Sequence, residues 1–407
     1  MNENISRRKF ISSAGAMAGG IALAAPAMGK FVIGANDNVN IGIIGTGSRG
    51  NWLNKIVQNI PNSKVVACAD VLPSHLEKGL EIATKAKGYK EYKKLLDDKN
   101  VDAVIIATPL HLHTPMAKDA LDAGKHIYLE KTMTYDIPGA LDLNRIVKDS
   151  DLTFQVGYQH RYNPLYHKVK RIISDGNLGT LTHTSATWNR NGDWRRPVPD
   201  PSLEKLINWR MYLEYSGGLM AELCSHQIDI VNYMLGKLPK KITGFGGIDY
   251  WKDGRETYDN VYTIFEYEDG IKGQYNSLTT NAHEGFAIKF YGTEATLVIR
   301  SEQGHKAYVY IEPKKLRAME PEVDAVSSAT MQSWAKGEPI EITVENQPDG
   351  DEGPTSAALT HFSECIRGKE KVIANVDYGT TGAIAVHLAN NAMRNGTIET
   401  WKPEYNM

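Results

Sequence analysis

The chain has 407 residues, of which 42% are hydrophobic and 23% charged, and its formal net charge is -2 at pH 7. This length favours two domains with separate cores, and the composition is that of a globular protein. Because the charge is nearly balanced, the sequence lacks the broad cationic field that binds nucleic acid or an anionic membrane surface, so we expect a small-molecule partner instead. The three scattered cysteines are too few for a disulfide framework, and we interpret them as buried packing residues.

The N-terminus carries the pattern of an export signal. The pair Arg7 and Arg8 precedes a weakly hydrophobic run, rich in Gly and Ala, that ends in a cleavage-like Ala-Pro-Ala triplet. We interpret residues 1–27 as a twin-arginine signal peptide, which predicts a periplasmic or otherwise exported protein. The run is too weakly hydrophobic for a lasting transmembrane helix, so we expect no stable membrane insertion after signal removal.

Residues 38–158 alternate between strand and helix patterns. The apolar run from Asn38 to Ile44 leads into a glycine-rich turn and a helical segment, and Lys64 to Ala69 repeats the strand pattern. Further strand-like runs continue the alternation at residues 101–107, 126–129 and 153–157. This order predicts an α/β domain of the Rossmann type, a doubly wound parallel sheet with a ligand crevice at the carboxyl ends of its strands.

The pattern changes after Gly157, where polar turns rather than helices separate the strand-like runs. These runs comprise residues 181–189, 241–250, 258–267, 271–278 and 286–291. Their spacing predicts a C-terminal α+β domain over residues 159–375, with an open, mainly antiparallel sheet. A helix predicted over residues 218–235 is expected to face the first domain, and residues 376–407 are expected to form a helix and tail that pack back on it.

The turn at residues 45–50 reads Gly-Thr-Gly-Ser-Arg-Gly, between a strand and a helix. Glycines at this spacing allow a tight bend, close approach of the backbone to a pyrophosphate, and packing of the helix on the strand. Asp70 lies 20 positions beyond Gly50, at the end of the second strand, where a carboxylate binds ribose hydroxyls and repels a 2′-phosphate. We therefore predict an NAD site, with NADP disfavoured, that includes Gly45, Gly47, Ser48, Arg49, Gly50 and Asp70.

Further motifs follow at the predicted strand ends and on the predicted helix. They are Ala107-Thr108-Pro109 with His113, Ala123-Gly124-Lys125-His126, Glu130-Lys131-Thr132, the segment from Gly157 to Pro164, and the Gly217-Gly218 helix with Glu222, His226 and Asp229. Taken together, they resemble the Gfo/Idh/MocA family, which is named after glucose-fructose oxidoreductase, inositol dehydrogenase and a rhizopine-catabolism protein. The resemblance is strongest over residues 39–236 and implies an oxidoreductase.

The resemblance also implies further cofactor contacts, from Thr108, His113, Glu130, Lys131 and Gln159. Two positions depart from the family pattern. The family usually has Glu-Lys-Pro where this chain has Glu130-Lys131-Thr132, so the lysine is kept but a rigid, often cis, bond is expected to be lost. The family has an aspartate where Glu222 stands, which lengthens that acidic arm by a methylene.

Hydride transfer from a secondary alcohol needs a base for the hydroxyl proton and a cation that stabilises the developing alkoxide. We predict that Lys131 supplies the cation, since the family lysine contacts both cofactor and substrate. Glu222, His226 and Asp229 fall at i, i+4 and i+7, which places them on one face of a regular helix. We predict that His226 is the general base and that Glu222 orients it or relays its proton. Asp229 is expected either to contact the substrate or to cap and brace the helix.

Candidate substrate contacts fall outside these motifs. The resemblance places Arg161 and Tyr162 at the rim of the pocket. Trp209 and Arg210 belong to an aromatic and cationic set suited to stacking on sugar faces and binding hydroxyls or a carboxylate, although core tryptophans and surface arginines give the same pattern. The other members of this set are Trp188, Trp194, Arg195 and Arg196.

A metal site is an alternative interpretation of the pair Glu222 and His226, with His283 or the pair His111 and His113 as further ligands. Because no third ligand has diagnostic spacing, we predict no metal.

The sequence as a whole predicts an NAD-dependent oxidoreductase acting on a secondary hydroxyl of a sugar or sugar derivative. We expect a tightly retained cofactor, because the twin-arginine route exports folded proteins. One alternative is a redox-neutral glycosidase or epimerase that acts through a transient keto-sugar. Another is a non-catalytic sugar-binding protein on the same fold. The resemblance further implies a homodimer or homotetramer formed through the C-terminal sheet.

Overall fold

The computed structural model describes residues 38–300, 306–312, 338–344 and 352–407. The predicted export signal at residues 1–27 lies outside these residues. Within them, no helix combines the length and apolar character needed to cross a membrane. All three cysteines are buried and unpaired, as predicted.

The first domain is built on a six-stranded parallel sheet with the order β3-β2-β1-β4-β5-β6. Its strands are β1 (Val39–Ile44), β2 (Ser63–Ala69), β3 (Lys87–Tyr89), β4 (Ala103–Ile106), β5 (His126–Leu129) and β6 (Phe154–Val156). The helices are α1 (Ser48–Val57), α2 (Pro73–Ile82), α3 (Tyr92–Leu96), α4 (His113–Asp122) and α5 (Ile137–Lys148). The order reverses between β1 and β4, which opens a crevice at their carboxyl ends and confirms the predicted Rossmann fold.

In the second domain, the described residues form a sheet of nine strands with the order β14-β13-β12-β11-β7-β10-β9-β8-β15. Its strands are β7 (Leu181–Trp188), β8 (Pro239–Gly247), β9 (Asn260–Tyr267), β10 (Lys272–Leu278), β11 (Phe286–Gly292), β12 (Ala295–Ile299), β13 (Lys306–Ile311), β14 (Ile340–Thr343) and β15 (Glu399–Thr400). Among the described strands, only the pairing of β7 with β10 is parallel, so the sheet is mainly antiparallel, as predicted. The helices before and beside it are α6 (Pro164–Ser174), α7 (Glu204–Ile207) and α8 (Ser225–Leu235).

The helix predicted over residues 218–235 is not regular. After two helical residues, Met220–Cys224 form a π-helical turn, and the regular α-helix α8 runs from Ser225. A π turn closes i to i+5 hydrogen bonds, so the regular spacing of side chains around the helix is interrupted at this point. The helix ends at Gly236, whose φ of 63° is the left-handed conformation that glycine tolerates.

Two C-terminal helices, α9 (Glu352–Ile366) and α10 (Val376–Asn395), join the domains. The Nδ2 of Asn144 in α5 donates to Thr380 Oγ1 at 3.0 Å, and Asn390 Nδ2 donates to the carbonyl of Gly217 at 2.9 Å, so α10 contacts both domains. The predicted boundary at residue 375 misplaces α9, because Gln155 Nε2 donates to the Ala358 carbonyl at 2.8 Å and holds α9 on the first domain. Helix α9, which follows residue 351 in the sequence, is therefore part of the first domain.

Candidate active site

A cleft of about 1260 Å³ lies between the carboxyl ends of the first sheet and the second domain. Pockets for a single small ligand usually measure roughly 300–1,000 Å³, so this cleft has room for a dinucleotide and a second molecule. Most of the predicted site residues line it, namely Gly45, Gly47, Ser48, Arg49, Asp70, Thr108, His113, Glu130, Lys131, Gln159, Trp209, Arg210, Glu222 and His226.

The glycine-rich turn forms a backbone cradle at the start of α1. Gly45 has a φ of 89°, which other residues rarely adopt. Gly50 does not line the cleft, and a Cβ there would lie 1.8 Å from the carbonyl oxygen of Gly45, so only glycine lets α1 pack on β1 this closely. Gly47 lines the cleft at the helix N-terminus, and a Cβ there would lie 3.8 Å from the His75 ring. The cradle therefore fits the pyrophosphate of a dinucleotide.

Asp70 is held in position by the backbone at the end of β2. Its Oδ2 accepts a hydrogen bond from the Thr46 amide at 2.8 Å, and its Oδ1 accepts one from the Leu72 amide at 2.9 Å. These bonds orient the carboxylate while leaving oxygen lone pairs toward the cleft, which suits the hydroxyls of an adenosine ribose. The Nδ1 of His75 lies 3.6 Å from Oδ2, on the same side of the cleft.

Two residues that line the cleft each carry a buried polar atom without a protein partner. Thr108 Oγ1 and Gln159 Oε1 have no hydrogen-bond partner among the described residues, and both residues line the cleft. A buried, unpaired polar atom is costly, so such atoms in a cleft indicate groups that a ligand satisfies. A nicotinamide carboxamide, which both donates and accepts, matches this pair chemically.

Arg49 and Glu130 form an ion pair on the cleft wall. The Nη2 of Arg49 lies 2.7 Å from Glu130 Oε1, and its Nε donates to the same oxygen at 2.8 Å. The guanidinium also stacks over the ring of Trp52, 4.6 Å from the ring centroid. The pair links the glycine-rich turn to the residue preceding Lys131.

His113 holds together the turns that follow β4 and β5. Its Nδ1 lies 2.8 Å from the Thr132 carbonyl oxygen, and its Nε2 lies 3.1 Å from the Thr108 carbonyl oxygen. The peptide bond between Lys131 and Thr132 is cis, although the sequence has no proline there, so the expected loss of this bond geometry was wrong. Thr132 Oγ1 donates to the Ala221 carbonyl at 3.0 Å and ties this turn to the second domain.

Lys131 projects from this turn to the second domain. Its Nζ donates to the backbone carbonyl of Glu222 at 2.7 Å. Burial lowers the pKa of Lys131, against the opposing effect of the Glu222 and Glu130 carboxylates. Burial alone would raise the pKa of Glu222, but Arg210 and Lys131 bring it below the ordinary value. The site therefore holds an ammonium group that gives up its proton more readily than a surface lysine.

Glu222 is engaged with Arg210 rather than with His226. The Nε of Arg210 donates to Glu222 Oε2 at 2.7 Å. No hydrogen bond between Glu222 and His226 is present in the described part of the chain. The predicted role of Glu222 in orienting His226 is therefore corrected, because its carboxylate is taken up by Arg210 while its carbonyl holds Lys131.

His226 lies at the base of the cleft in an aromatic cage. Its ring centroid is 5.1 Å from that of His160, 5.6 Å from Trp188 and 6.5 Å from Tyr158. Burial, reinforced by the charge of Lys131, lowers the pKa of His226 well below its ordinary value. The imidazole is therefore neutral at physiological pH and able to accept a proton. Trp188 packs against it and does not line the cleft, so its predicted contact with sugar is corrected.

Arg161, Tyr162 and Asp229 do not reach the cleft. Arg161 donates from both Nε and Nη2 to the Asp229 carboxylate, at 2.7–3.0 Å, and the two side chains are 1% and 2% exposed. Tyr162 is buried, and its hydroxyl accepts a hydrogen bond from the Ala374 amide at 3.3 Å. The prediction that these residues bind substrate is corrected, because they brace α8 and the C-terminal segment. For Asp229, bracing was the alternative already considered.

Several cleft residues carry no motif and were missed from the sequence. They are His75, Lys78 and Lys90 near Asp70, and Arg190, Lys205 and Tyr215 in the second domain. They come from loops and helices of ordinary composition, so local pattern offered no signal for them. No group of three His, Cys, Asp or Glu side chains suited to a metal occurs within the ranges that the structure describes.

The fold and cleft together define a two-domain, dinucleotide-binding oxidoreductase. Residues 39–158 match the family model described as an oxidoreductase family with an NAD-binding Rossmann fold, and residues 166–298 match that of the GFO/IDH/MocA C-terminal domain. These matches cover more than half of the chain, which therefore belongs to the Gfo/Idh/MocA family of NAD-binding oxidoreductases.

Several named proteins are similar in sequence to this chain over most of its length. Scyllo-inositol 2-dehydrogenase (NAD(+)) of Bacillus subtilis (strain 168) is 25% identical over 363 residues, which cover 88% of this chain and 95% of that protein. Levoglucosan dehydrogenase of Pseudarthrobacter phenanthrenivorans is 26% identical over 300 residues, covering 65% of this chain and 74% of that protein. A solved structure of levoglucosan dehydrogenase with NADH and L-sorbose superposes with a TM-score of 0.74 at 18% identity, over 90% of this chain and 100% of that one, which shows a shared fold.

Proposed function

We propose that this protein is an NAD-dependent dehydrogenase that oxidises a secondary hydroxyl of a sugar or cyclic polyol. The observation that carries the proposal is that one cleft brings the dinucleotide cradle at Gly45 and Asp70 together with Lys131 and a buried, neutral His226. The relatives support this substrate class, since two of them are named as dehydrogenases of scyllo-inositol and levoglucosan.

The cradle at residues 45–50 would hold the pyrophosphate, Asp70 the adenosine ribose, and Thr108 with Gln159 the carboxamide. Bound NAD would supply the hydride acceptor for the carbinol carbon, which becomes a carbonyl group once the hydroxyl proton is also lost. His226 takes that proton, and its lowered pKa means that the ring is unprotonated before the reaction. Lys131 stabilises the developing alkoxide with its ammonium group. Glu222 and Arg210 position Lys131 through the carbonyl bond at 2.7 Å.

The test begins with protein purified without added nucleotide. Denaturation releases any bound dinucleotide for identification, and the absorbance of reduced nicotinamide is then followed as inositols, hexoses, sugar acids and anhydrosugars are added. We expect NAD to be bound and at least one of these compounds to reduce it. If NAD binds but none of them reduces it, and the protein nevertheless binds sugars, the non-catalytic alternative is correct. A stoichiometric keto product favours net oxidation, whereas an epimer or a cleaved glycoside favours the redox-neutral alternatives.

We also propose export by the twin-arginine route, with NAD loaded before transport and retained afterwards. The support is the Arg7-Arg8 pair before a weakly hydrophobic, alanine-rich run. Replacing both arginines by lysine is expected to keep the protein in the cytoplasm with its N-terminal segment uncleaved. Fractionation and N-terminal sequencing of both forms test this, and equal export of the double variant would contradict it.

A homodimer or homotetramer formed through the open face of the second sheet completes the proposal. Phe245 and Tyr262 are paired across β8 and β9, and Ile264 follows on the same face, with exposures of 84%, 47% and 52%. Exposed apolar residues clustered on a sheet face are typical of an interface. Phe245→Ser with Ile264→Glu is expected to shift the molar mass measured by light scattering toward that of a monomer. An unchanged mass would place the interface elsewhere.

A further inference from the structure

We infer that the substrate carries a carboxylate group, as a uronic or aldonic acid does, and that Arg196 binds that group. The inference rests on the proposed dehydrogenase function and specifies its substrate class. It starts from the charges that the second domain presents to the cleft. The cationic residues there are Arg190, Arg196, Lys205 and Arg210, and the anionic residues are Glu204 and Glu222.

The two carboxylates of this wall are already satisfied by the protein. Glu222 accepts from Arg210 at 2.7 Å. Glu204 pairs with Arg195, which does not line the cleft, and accepts from Tyr212 Oη and Asn208 Nδ2, both at 3.0 Å. Neither acid is left to neutralise Arg196, so a positive charge faces the substrate end of the cleft.

Arg196 itself has no carboxylate within 4.0 Å among the residues that the structure describes, and its side chain is exposed. Lys205, by contrast, is paired with Glu214 at 3.2 Å. The phosphates of a dinucleotide belong to the other end of the cleft, at the cradle of α1. The charge of Arg196 is therefore available to the substrate rather than to the cofactor.

The backbone of Arg196 is fixed by a buried side chain. The amide of Arg196 donates to Asn208 Oδ1 at 2.7 Å, and Asn208 Nδ2 donates back to the Arg196 carbonyl at 3.0 Å. Asn208 is 2% exposed. The preceding residue, Arg195, is anchored to Glu204 and to Asp253. A fixed main chain narrows the positions that the Arg196 side chain can reach, and a recognition residue gains from this preorganisation.

The neighbouring aromatic residues complete a sugar-binding wall. Trp194 lines the cleft and has a φ of 63°, which a bulky side chain rarely adopts and which is typical of functional segments. Trp209 lines the same wall and stacks on the Arg210 guanidinium at 4.2 Å. Tryptophans suit the apolar faces of a pyranose, and the planar fork of Arg196 matches a carboxylate. A sugar acid satisfies both features at once.

The test compares wild type and Arg196→Gln on matched substrates: hexuronates, the corresponding neutral hexoses, and hexose phosphates. Loss of a charge-assisted hydrogen bond is expected to raise KM for the preferred hexuronate about 10- to 100-fold, with little change for neutral sugars. Arg171→Gln removes the same charge from an exposed position on α6 outside the cleft, and is the control. Added salt is expected to raise KM for the hexuronate in wild type more than in Arg196→Gln.

The inference is overturned if neutral sugars are the better substrates in wild type and Arg196→Gln affects both classes equally. A preference for hexose phosphates also overturns the carboxylate assignment. Failure of the proposed function gives a different result, because then no sugar of any class reduces NAD. Circular dichroism and NAD binding of Arg196→Gln are expected to match wild type, which separates recognition from folding.

Discussion

Replacement of Lys131 by Met tests the centre of the mechanism. Met keeps the length and much of the volume of the buried stem but removes the ammonium group that bonds to the Glu222 carbonyl at 2.7 Å. Removing one donor that stabilises a developing oxyanion lowers kcat by about 10²- to 10³-fold. We expect a loss of that size at saturating substrate, measured from the formation of reduced nicotinamide.

The same variant separates chemistry from folding. Because burial lowers the pKa of Lys131, the folded protein disfavours the charged form, and its removal is expected to leave the melting temperature unchanged or higher. The Kd for NAD, measured by tryptophan fluorescence, is expected to change less than threefold, which is roughly the effect of losing one weak contact on the binding free energy. Lys64→Met, an exposed change at the start of β2, is the control. A loss in kcat below about tenfold, or one explained by loss of NAD, would refute the role assigned to Lys131.

Three further predictions follow from the same structure. Gly50→Ala is expected to abolish NAD binding in titration calorimetry, since its Cβ would meet the Gly45 carbonyl at 1.8 Å; unchanged affinity would contradict the cradle. Asp229→Asn is expected to lower the free energy of unfolding by about 3–5 kcal/mol in urea titrations, because it leaves the buried charge of Arg161 unpaired, and a matched apolar pair at both positions is expected to recover stability. The profile of kcat/KM against pH is expected to have an acid limb well below pH 6.5, where His226 takes up a proton. Its alkaline limb is expected to begin below pH 10.5, because the lowered pKa of Lys131 lets that side chain lose its proton earlier than a free lysine. A limb at or above pH 6.5 that disappears in a His226 variant would show that the pKa shift is absent.

The nucleotide-binding half was predictable because its signals are local. The strands of the first sheet are short apolar runs, and the glycines at 45 and 50 serve backbone requirements that only glycine meets. Asp70 sits at the end of a strand, and in a parallel sheet strand ends converge, so its place beside the cradle followed from the fold.

The substrate half was less predictable because its contacts are not local. Periodicity placed Glu222, His226 and Asp229 on one face, but the π turn at Met220–Cys224 interrupts the helix, and Asp229 pairs with Arg161 instead. The sequence around an arginine between two domains is the same whether its side chain binds a ligand or pairs with a buried acid. The partner, 68 positions away, decides between the two.

The sequence by itself determined the class of fold, the dinucleotide cradle and the candidates for the reacting side chains, because these depend on residue type and on spacing within one or two elements. Only the tertiary structure decided which charged groups pair with one another and which remain to face a ligand. Glu222 is taken by Arg210 and Glu204 by Arg195, and these pairings leave Arg196 exposed to the cleft. Charge compensation depends on distance in space, and the chain order of residues does not encode that distance locally.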